Sequence, residues 1–196
     1  MSVGVFSRRA ALAALLASTG CAPGGLATGN SAVPSPQAFL DQLRPSGLGR
    51  NVEAVQLVTL AHSSQIVSIE LRLSITADQF KLVAQDMLGQ RLMTIDWTNN
   101  GVAFTRAPNL PPSVSPADLL ADLVAICWPE ALVRQALEQT GNQLTVRGNQ
   151  RTILSGGRET MVATRGWQDG APWTGRLSYR NLRAGYVVDV QSAEQS

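Results

Sequence analysis

The clearest pattern in the chain is an alternation of apolar and polar positions over residues 67–75. The apolar positions are Val67, Ile69, Leu71, Leu73 and Ile75. A period of two is typical of a β-strand with one buried and one solvated face, as antiparallel sheets have. Similar patterns predict strands at residues 52–62, 80–88, 91–98 and 102–106, and the turn-like segments 88–91 and 98–101 join them into a five-stranded meander.

The apolar period becomes helical after this meander. Ser115 is a predicted N-cap, and Pro116 follows it at the first helical position. A broad apolar stripe runs to Cys127, so this helix should be buried against the sheet. Trp128-Pro129 breaks it, and a second helix is predicted over residues 130–139 with Gly141 as its C-terminal stop.

Strand patterns then return at residues 143–147, 151–154, 160–165, 176–181 and 186–191. Five strands, a helical insertion and about five more strands leave no room for β-α-β alternation. The sequence therefore predicts a mainly antiparallel β fold with a helical insertion (α+β). The expected form is a curled sheet of about ten strands, a half-open barrel with helices across its concave face. We assign it to a single domain over residues 51–196.

The N-terminal residues 1–20 have the three parts of a bacterial lipoprotein signal peptide. Arg8 and Arg9 precede an apolar run of eight residues, which spans about 12 Å as a helix against ~30 Å of membrane hydrocarbon. Small residues lead from this run to Cys21, the predicted site of lipidation. Ser18 stands where such signals usually carry Leu, so ordinary cleavage without lipidation stays open, as does export by the twin-arginine route.

Residues 21–50 are predicted to be a flexible tether with a possible short helix at residues 37–43. Residues 22–36 are rich in Gly, Pro and Ser and carry no charge. The residue after Cys21 is Ala22 and not Asp, which in lipoproteins of enterobacterial type implies transfer to the outer membrane. The expected location is the periplasmic face of the outer membrane, where a lipid anchor holds the chain.

Charge and chemistry exclude several classes of function. The chain has 16 basic and 14 acidic residues, and removal of Arg8 and Arg9 with the signal peptide leaves no net charge. A nucleic-acid partner therefore has no support. His62 is the single histidine and has no partner at metal-ligand spacing. We expect no metal, no cofactor and no catalytic residues, and hence a protein that is not an enzyme.

Cys127, the second of two cysteines, lies within the apolar stripe of the first helix. We interpret it as a buried apolar side chain. A disulfide with Cys21 is the alternative that an oxidising envelope would allow.

The apolar positions also suggest where a ligand could bind. A curved sheet that its own side chains do not fill can hold an acyl chain. The alternative is a core that its side chains fill completely. The candidate lining residues of such a cavity are Ile69, Leu71, Leu73, Met93, Ile95, Trp97, Phe104, Leu120, Val124 and Trp128.

Three blocks of sequence resemble a family of small bacterial envelope lipoproteins of uncharacterised function. They are Leu110-Pro111-Pro112 with Leu119-Leu120-Ala121-Asp122-Leu123, Cys127-Trp128-Pro129 with Ala131-Leu132, and Pro172-Trp173-x-Gly175 with Asn181 and Gly185-Tyr186. The resemblance implies a fold like that of the outer-membrane receptor of the lipoprotein-localisation pathway (LolB-like). It also implies an amphipathic cargo, because members are often associated with pathways for aryl-polyene or unusual fatty-acyl products.

These observations lead to three functional hypotheses. The first is an outer-membrane lipoprotein that binds a lipid, a lipoprotein or a lipid-linked product and helps to place it in the envelope. The second is an interaction module that binds another envelope protein and has a filled core. The third is a hydrolase of lipid-linked products, which would need Ser63 or Ser64 against His62 and a buried acid.

Overall fold

Ten antiparallel strands form one sheet in the computed structural model, which describes residues 35–108, 110, 114–167 and 173–195. The first five strands are β1 (Val52–His62), β2 (Gln65–Ile75), β3 (Gln79–Asp86), β4 (Arg91–Thr98) and β5 (Gly101–Arg106). The last five are β6 (Asn142–Arg147), β7 (Gln150–Ser155), β8 (Arg158–Gly166), β9 (Gly175–Asn181) and β10 (Tyr186–Glu194). Each set is a meander, which the alternation predicts for the first set.

The two meanders join through β1 and β10. The strand order is β5-β4-β3-β2-β1-β10-β9-β8-β7-β6, with Ala54 opposite Glu194 and His62 opposite Tyr186. This order makes β5 and β6 the two edges, so the sheet is not closed. The predicted fold class, an open antiparallel sheet of ten strands with a helical insertion, is confirmed.

Three α-helices accompany the sheet in the described part of the chain: α1 (Pro36–Leu40), α2 (Pro116–Cys127) and α3 (Glu130–Gln139). The local signals for α2 and α3 act as predicted. The Ser115 side chain accepts a hydrogen bond from the Asp118 N–H, and Gly141 follows α3 with φ of 74°, which favours glycine.

The sheet curls around α2. This helix contacts β4 and β5 at one end of the strand order, and it hydrogen-bonds to β7 and β9 near the other end. In a flat sheet β5 and β7 would lie about 38 Å apart at ~4.8 Å per strand. One helix of about 10 Å diameter can reach both only if the sheet bends around it.

Strand ends differ from the predictions by one to three residues. β3 ends at Asp86 and not at residue 88, because the Asp86 carboxylate accepts hydrogen bonds from the Leu88 and Gln90 N–H groups and closes the turn there. β10 continues to Glu194 and not to residue 191, because it pairs with β1 along its whole length.

The packed part of the chain begins before residue 51. Phe39 and Leu40 of α1 and the following Leu43 are buried in the same core as the sheet, and a 3-10 turn at Pro45–Leu48 leads into β1. The predicted helix at residues 37–43 is observed as the shorter α1. The signal peptide, Cys21 and the residues up to 34 lie outside the described residues.

Among the described residues, no helix has the length and apolar character needed to cross a membrane.

Candidate functional site

Helix α2 fills the space that the curled sheet encloses. From Leu120 to Cys127 every residue is buried, so α2 has no solvent-facing stripe along these two turns. A helix that is apolar on all sides is stable only where apolar surface surrounds it. The inner face of the sheet supplies that surface through the buried positions of its alternating strands.

Asp122 is the one charged residue within this buried segment. It accepts hydrogen bonds from the Tyr186 hydroxyl, at 2.6 Å, and from the Asn181 amide, at 3.1 Å to Oδ1 and 3.0 Å to Oδ2. Asn181 in turn accepts a hydrogen bond from the Ala184 N–H. The hairpin between β9 and β10 therefore positions both donors, and it fastens α2 to the sheet.

Burial of this carboxyl has an electrostatic consequence. It raises the pKa of Asp122 from 3.8 to about 6, although the hydrogen bonds from Tyr186 and Asn181 act in the opposite direction. Asp118, one turn earlier, pairs with Arg183 of the same hairpin at the surface. We call the contacts of Asp118 and Asp122 with this hairpin the acidic latch.

Arg151 fastens the other end of α2. This residue is the second of β7 and is buried, and its Nη1 donates hydrogen bonds of 2.9 Å to the carbonyl oxygens of Ala125, Ile126 and Trp128. The last carbonyls of a helix have no partner within it, so a buried cation at this point satisfies them and the negative end of the helix dipole. We call these contacts the arginine latch.

Trp128 joins the turn between α2 and α3 to the rest of the core. The centroid of its ring lies 5.7 Å from that of Trp97 and 6.3 Å from that of Phe80. Its Nε1 donates a hydrogen bond to the Arg44 carbonyl oxygen. Gly47 approaches this ring so closely that a Cβ there would lie 3.3 Å from it. The segment before β1 is thereby packed against the turn.

A cavity of about 60 Å³ lies between α1, α2 and strands β6–β9. It is lined by Phe39, Ala121, Asp122 and Met161, among other residues. Pockets for drug-sized ligands have volumes of about 300–1,000 Å³, so this one has room for a few water molecules and not for an acyl chain. An acyl chain could enter this cavity only if α1 or α2 moved.

The structure brings nine of the ten predicted lining residues together in one buried core. The exception is Phe104 on the edge strand β5, which is 37% exposed although it faces the same side as its fully buried partner Ile95. None of the ten lines the 60 Å³ cavity, which borders the other half of the sheet.

One end of the sheet exposes large aliphatic side chains. Three neighbouring hairpins, β3–β4, β1–β2 and β9–β10, carry Met87, Leu88, Ile66 and Leu182 at or next to their tips, with exposures of 65, 85, 74 and 45%. We call this end the hairpin rim. The described turns at the opposite end, at residues 76–78, 99–100 and 148–149, carry mostly polar side chains or glycine.

The first described residue also lies at the hairpin rim. Ser35 and Pro36 line the 60 Å³ cavity together with Thr160 and Asn181, which stand where β8 begins and β9 ends. The predicted tether and Cys21 precede this point in the chain.

The remaining candidates from the sequence are placed as follows. His62 ends β1 and Ser63 follows in the turn with φ of 54°, and no hydrogen bond among the described residues joins His62 to Ser63 or Ser64. Cys127 is a buried free thiol whose pKa burial raises to about 12, which confirms its predicted burial. Within the described residues, no three potential ligands form a metal site.

The fold and the two latches define a half-barrel with an internal helix that polar contacts fasten at both ends. The chain belongs to the DUF3261 family of proteins of unknown function, whose family model matches residues 53–194. The predicted membership of an uncharacterised family is thereby confirmed.

Two solved structures are similar to this one. They are a LolA superfamily protein from Nitrosomonas europaea, with a TM-score of 0.46 and 10% identity, and a DUF1329 family protein from Desulfovibrio piger, with a TM-score of 0.44 and 6% identity. Each similarity covers 82% of this chain and 92% of the other. No curated protein matches the chain in sequence.

Proposed function

We propose that this protein is a lipid-anchored envelope protein that binds an acyl chain on the inner face of its sheet and helps to place the acylated molecule in a membrane. The observation that carries this proposal is the environment of α2. From Leu120 to Cys127 the helix is buried on all sides and enclosed by the sheet, while its polar attachments are confined to the two latches. The proposed role is binding and transfer, without catalysis.

Displacement of α2 by an acyl chain exchanges one apolar surface on the inner face of the sheet for another. An acyl chain that replaces α2 on the inner face keeps that face out of water, so the sheet's share of the hydrophobic cost of moving the helix is offset. The latches then set how easily the helix moves, because their hydrogen bonds must break. A helix that a few hydrogen bonds hold against an apolar surface is suited to act as a displaceable cover.

The hairpin rim supports a membrane as the place of exchange. Its four exposed aliphatic side chains come from three consecutive hairpins, and the chain leading back to Cys21 starts from the same end. A lipid on Cys21 would keep the domain close to a bilayer. We place the protein at the periplasmic face of the outer membrane, in accordance with the Cys21-Ala22 sequence.

Acyl binding can be tested with the full chain purified from its own membranes without added lipid. We expect native mass spectrometry to detect an adduct of lipid mass and the purified protein to take up a fluorescent fatty acid. Empty protein that takes up none of the fatty acid would contradict the proposal.

The role of α2 as a cover can be tested with a matched pair of tyrosines. Tyr186→Phe removes the hydrogen bond to Asp122, whereas Tyr179→Phe makes the same chemical change on a neighbouring buried ring that makes no hydrogen bond among the described residues. We expect Tyr186→Phe to take up fatty acid several-fold faster than both the wild type and Tyr179→Phe. Equal rates in all three would show that the acidic latch does not control entry.

Location needs a separate test, because acyl binding does not depend on it. Cells that express the wild type should incorporate labelled palmitate into the protein, which should sediment with outer-membrane vesicles. Cys21→Ser should abolish both. A labelled inner-membrane form, or a Cys21→Ser chain that still sediments with outer membranes, would contradict the assignment.

The second candidate function is an interaction module with a permanently filled core, and the small volume of the cavity favours it. In that case the exposed side chains of the hairpin rim would contact another envelope protein. Cross-linking from residue 88 in intact cells should then give a stoichiometric protein partner, and the purified protein should remain empty in the uptake experiment.

A further inference from the structure

A second pocket lies at the end of the molecule opposite the hairpin rim. It has a volume of about 280 Å³ and is lined by Trp128, Arg151, Arg165 and Trp167, with Arg50 beside them. Its position follows from the strand directions: Arg151 is the second residue of β7, which begins here, and β8 ends here after Arg165. We call it the arginine pocket.

The charge of this pocket is not balanced by an acid among its described lining residues. None of those residues is an Asp or a Glu. Arg50 pairs with Glu194 at 2.9 Å, but no described carboxylate pairs with Arg151 or Arg165. Glu130 acts on Arg151 over a distance, and its own Oε1 accepts a hydrogen bond from Arg134. Two guanidinium groups therefore line one pocket without a paired carboxylate among the described residues.

The hydrogen-bonding capacity of Arg151 is also incompletely used. Its Nη1 makes the three bonds of the arginine latch, while the buried Nε has no partner and Nη2 makes no hydrogen bond among the described residues. The cost of burial and the proximity of Arg165 both lower the pKa of Arg151. A buried cation with spare donors beside a second cation is a site where an anion would be stabilised.

Arg165 and Trp167 complete the wall of the pocket. The Arg165 guanidinium lies 5.7 Å from the centre of the Trp167 ring, a distance at which cation–π attraction orients it. Its other contacts are long hydrogen bonds of 3.4 Å to the Gly148 and Asn149 carbonyls. Helix α3 also begins at this pocket, and its N-cap Pro129 makes no side-chain capping bond. The guanidinium groups and the N-terminus of α3 favour negative charge here.

We propose that the arginine pocket binds an oxyanion, a phosphate or carboxylate, that forms the polar end of the acylated ligand. The acyl part of this inference rests on the proposed function, whereas the anion site rests on the pocket alone. The pocket adjoins the C-terminal end of α2, so the polar group would bind beside Arg151 while the chain follows the inner face towards the hairpin rim. Arg151 would then contact both the cover and the ligand.

The test compares ligands that share one chain and differ in their polar group. Binding of dodecyl phosphate, dodecyl maltoside and inorganic phosphate to the full chain is measured by calorimetry and by the fluorescence of the pocket tryptophans. The variant is Arg165→Gln, which leaves the bonds of Arg151 to α2 in place. The control is Arg180→Gln, an exposed arginine on β9 outside the pocket. Thermal unfolding checks that both variants are folded.

We expect dodecyl phosphate to bind about tenfold more tightly than dodecyl maltoside, because a charge-assisted hydrogen bond contributes about that factor. Arg165→Gln should remove most of this preference and Arg180→Gln should keep it. Equal affinities of the two ligands, or equal effects of the two variants, would overturn the anion site.

The outcomes separate this inference from the proposed function. Dodecyl ligands that bind tightly whatever their polar group would support acyl binding and refute the anion site. Inorganic phosphate that binds in an Arg165-dependent manner, with no gain in affinity from the dodecyl chain, would support the anion site and count against acyl binding. Failure of all three ligands to bind would refute both.

Discussion

The buried carboxyl group of Asp122 accepts hydrogen bonds from Asn181 and Tyr186. The Asp118–Arg183 pair also acts on it electrostatically, but no described cation is in direct contact with it. Its pKa of about 6 in the folded protein lies above the ordinary value of 3.8. Between these two values the folded state binds more protons than the unfolded state, so the contribution of Asp122 to stability falls as pH rises from about 4 to 6. This slope is opposite to that of a carboxylate in a salt bridge.

The prediction that follows compares the wild type with Asp122→Asn, whose side chain has no charge to bury. From pH 4 to pH 7 the free energy of unfolding of the wild type should fall by about 2 kcal/mol relative to the variant. Urea unfolding at several pH values measures this difference. A difference that stays constant with pH would mean that the buried carboxyl keeps an ordinary pKa.

The sequence indicates that Asp122 needs a buried partner, but it does not identify that partner. Asp122 is the single charge in the run from Leu119 to Cys127, and a charge in an otherwise apolar helix indicates a buried partner. Those partners, Asn181 and Tyr186, lie 59 and 64 residues further along the chain. Local patterns could not select them, and for the same reason Arg151 could not be predicted as the residue that fastens α2.

At the scale of elements, the arginine latch makes the stability of α2 depend on a residue of β7. Arg151→Gln shortens the side chain and removes the bonds to the three carbonyl oxygens at the end of the helix. Loss of a buried, hydrogen-bonded cation should lower the free energy of unfolding by about 3 kcal/mol. Arg180→Gln on the solvated face of β9 should change it by less than about 0.5 kcal/mol. Denaturant unfolding of both variants decides whether the latch contributes this much.

The edge strand β5 offers a second test, because one of its side chains faces the inner side of the sheet without being buried. Ile95 and Phe104 are direct cross-strand partners, but Ile95 is fully buried and Phe104 is 37% exposed. Ile95→Ala should cost about 3 kcal/mol through the cavity it leaves, and Phe104→Ala about 1 kcal/mol. The two variants are compared by urea unfolding. A cost for Phe104→Ala as large as that for Ile95→Ala would show that β5 is covered in solution.

These elements also show which parts of the fold are local. Ser115, Pro116 and Gly141 set the ends of α2 and α3 through bonds and backbone angles within a few residues, so both helices have the predicted bounds. The pairing of β1 with β10 is different. Alternation shows that each is a strand with one dry face, but it does not determine which strand lies beside it. The pairing of β1 with β10, which joins the two meanders, is therefore known only from the structure.

At the scale of the whole molecule, the two ends of the sheet differ in chemistry. The hairpin rim presents aliphatic side chains, whereas the described turns at the opposite end are mostly polar and the arginine pocket lies there. Helix α2 runs between them, with the acidic latch towards the rim and the arginine latch at the other end. An amphipathic ligand on the inner face would match this polarity if its chain pointed to the rim and its polar group to the arginines.

The hairpin rim supplies the last prediction. Leu88 is 85% exposed at a tip whose Gly89 has φ of 80°, so its side chain contributes little to the fold. Aspartate there should leave stability nearly unchanged. It should weaken binding to lipid vesicles about tenfold, since burial of an exposed leucine in an apolar phase contributes about 1.5–3 kcal/mol and a charge opposes insertion.

Leu57→Asp is the matched control for this experiment, because Leu57 is an exposed leucine on the solvated face of β1, away from the rim. Both substitutions are placed in a full chain with Cys21→Ser, so that a lipid anchor does not mask the contribution of the rim. Flotation with vesicles then compares the two aspartate variants with their parent. If Leu57→Asp weakened flotation as much as Leu88→Asp, added negative charge alone would explain the loss. A loss confined to Leu88→Asp would identify the hairpin rim as the surface that enters the membrane.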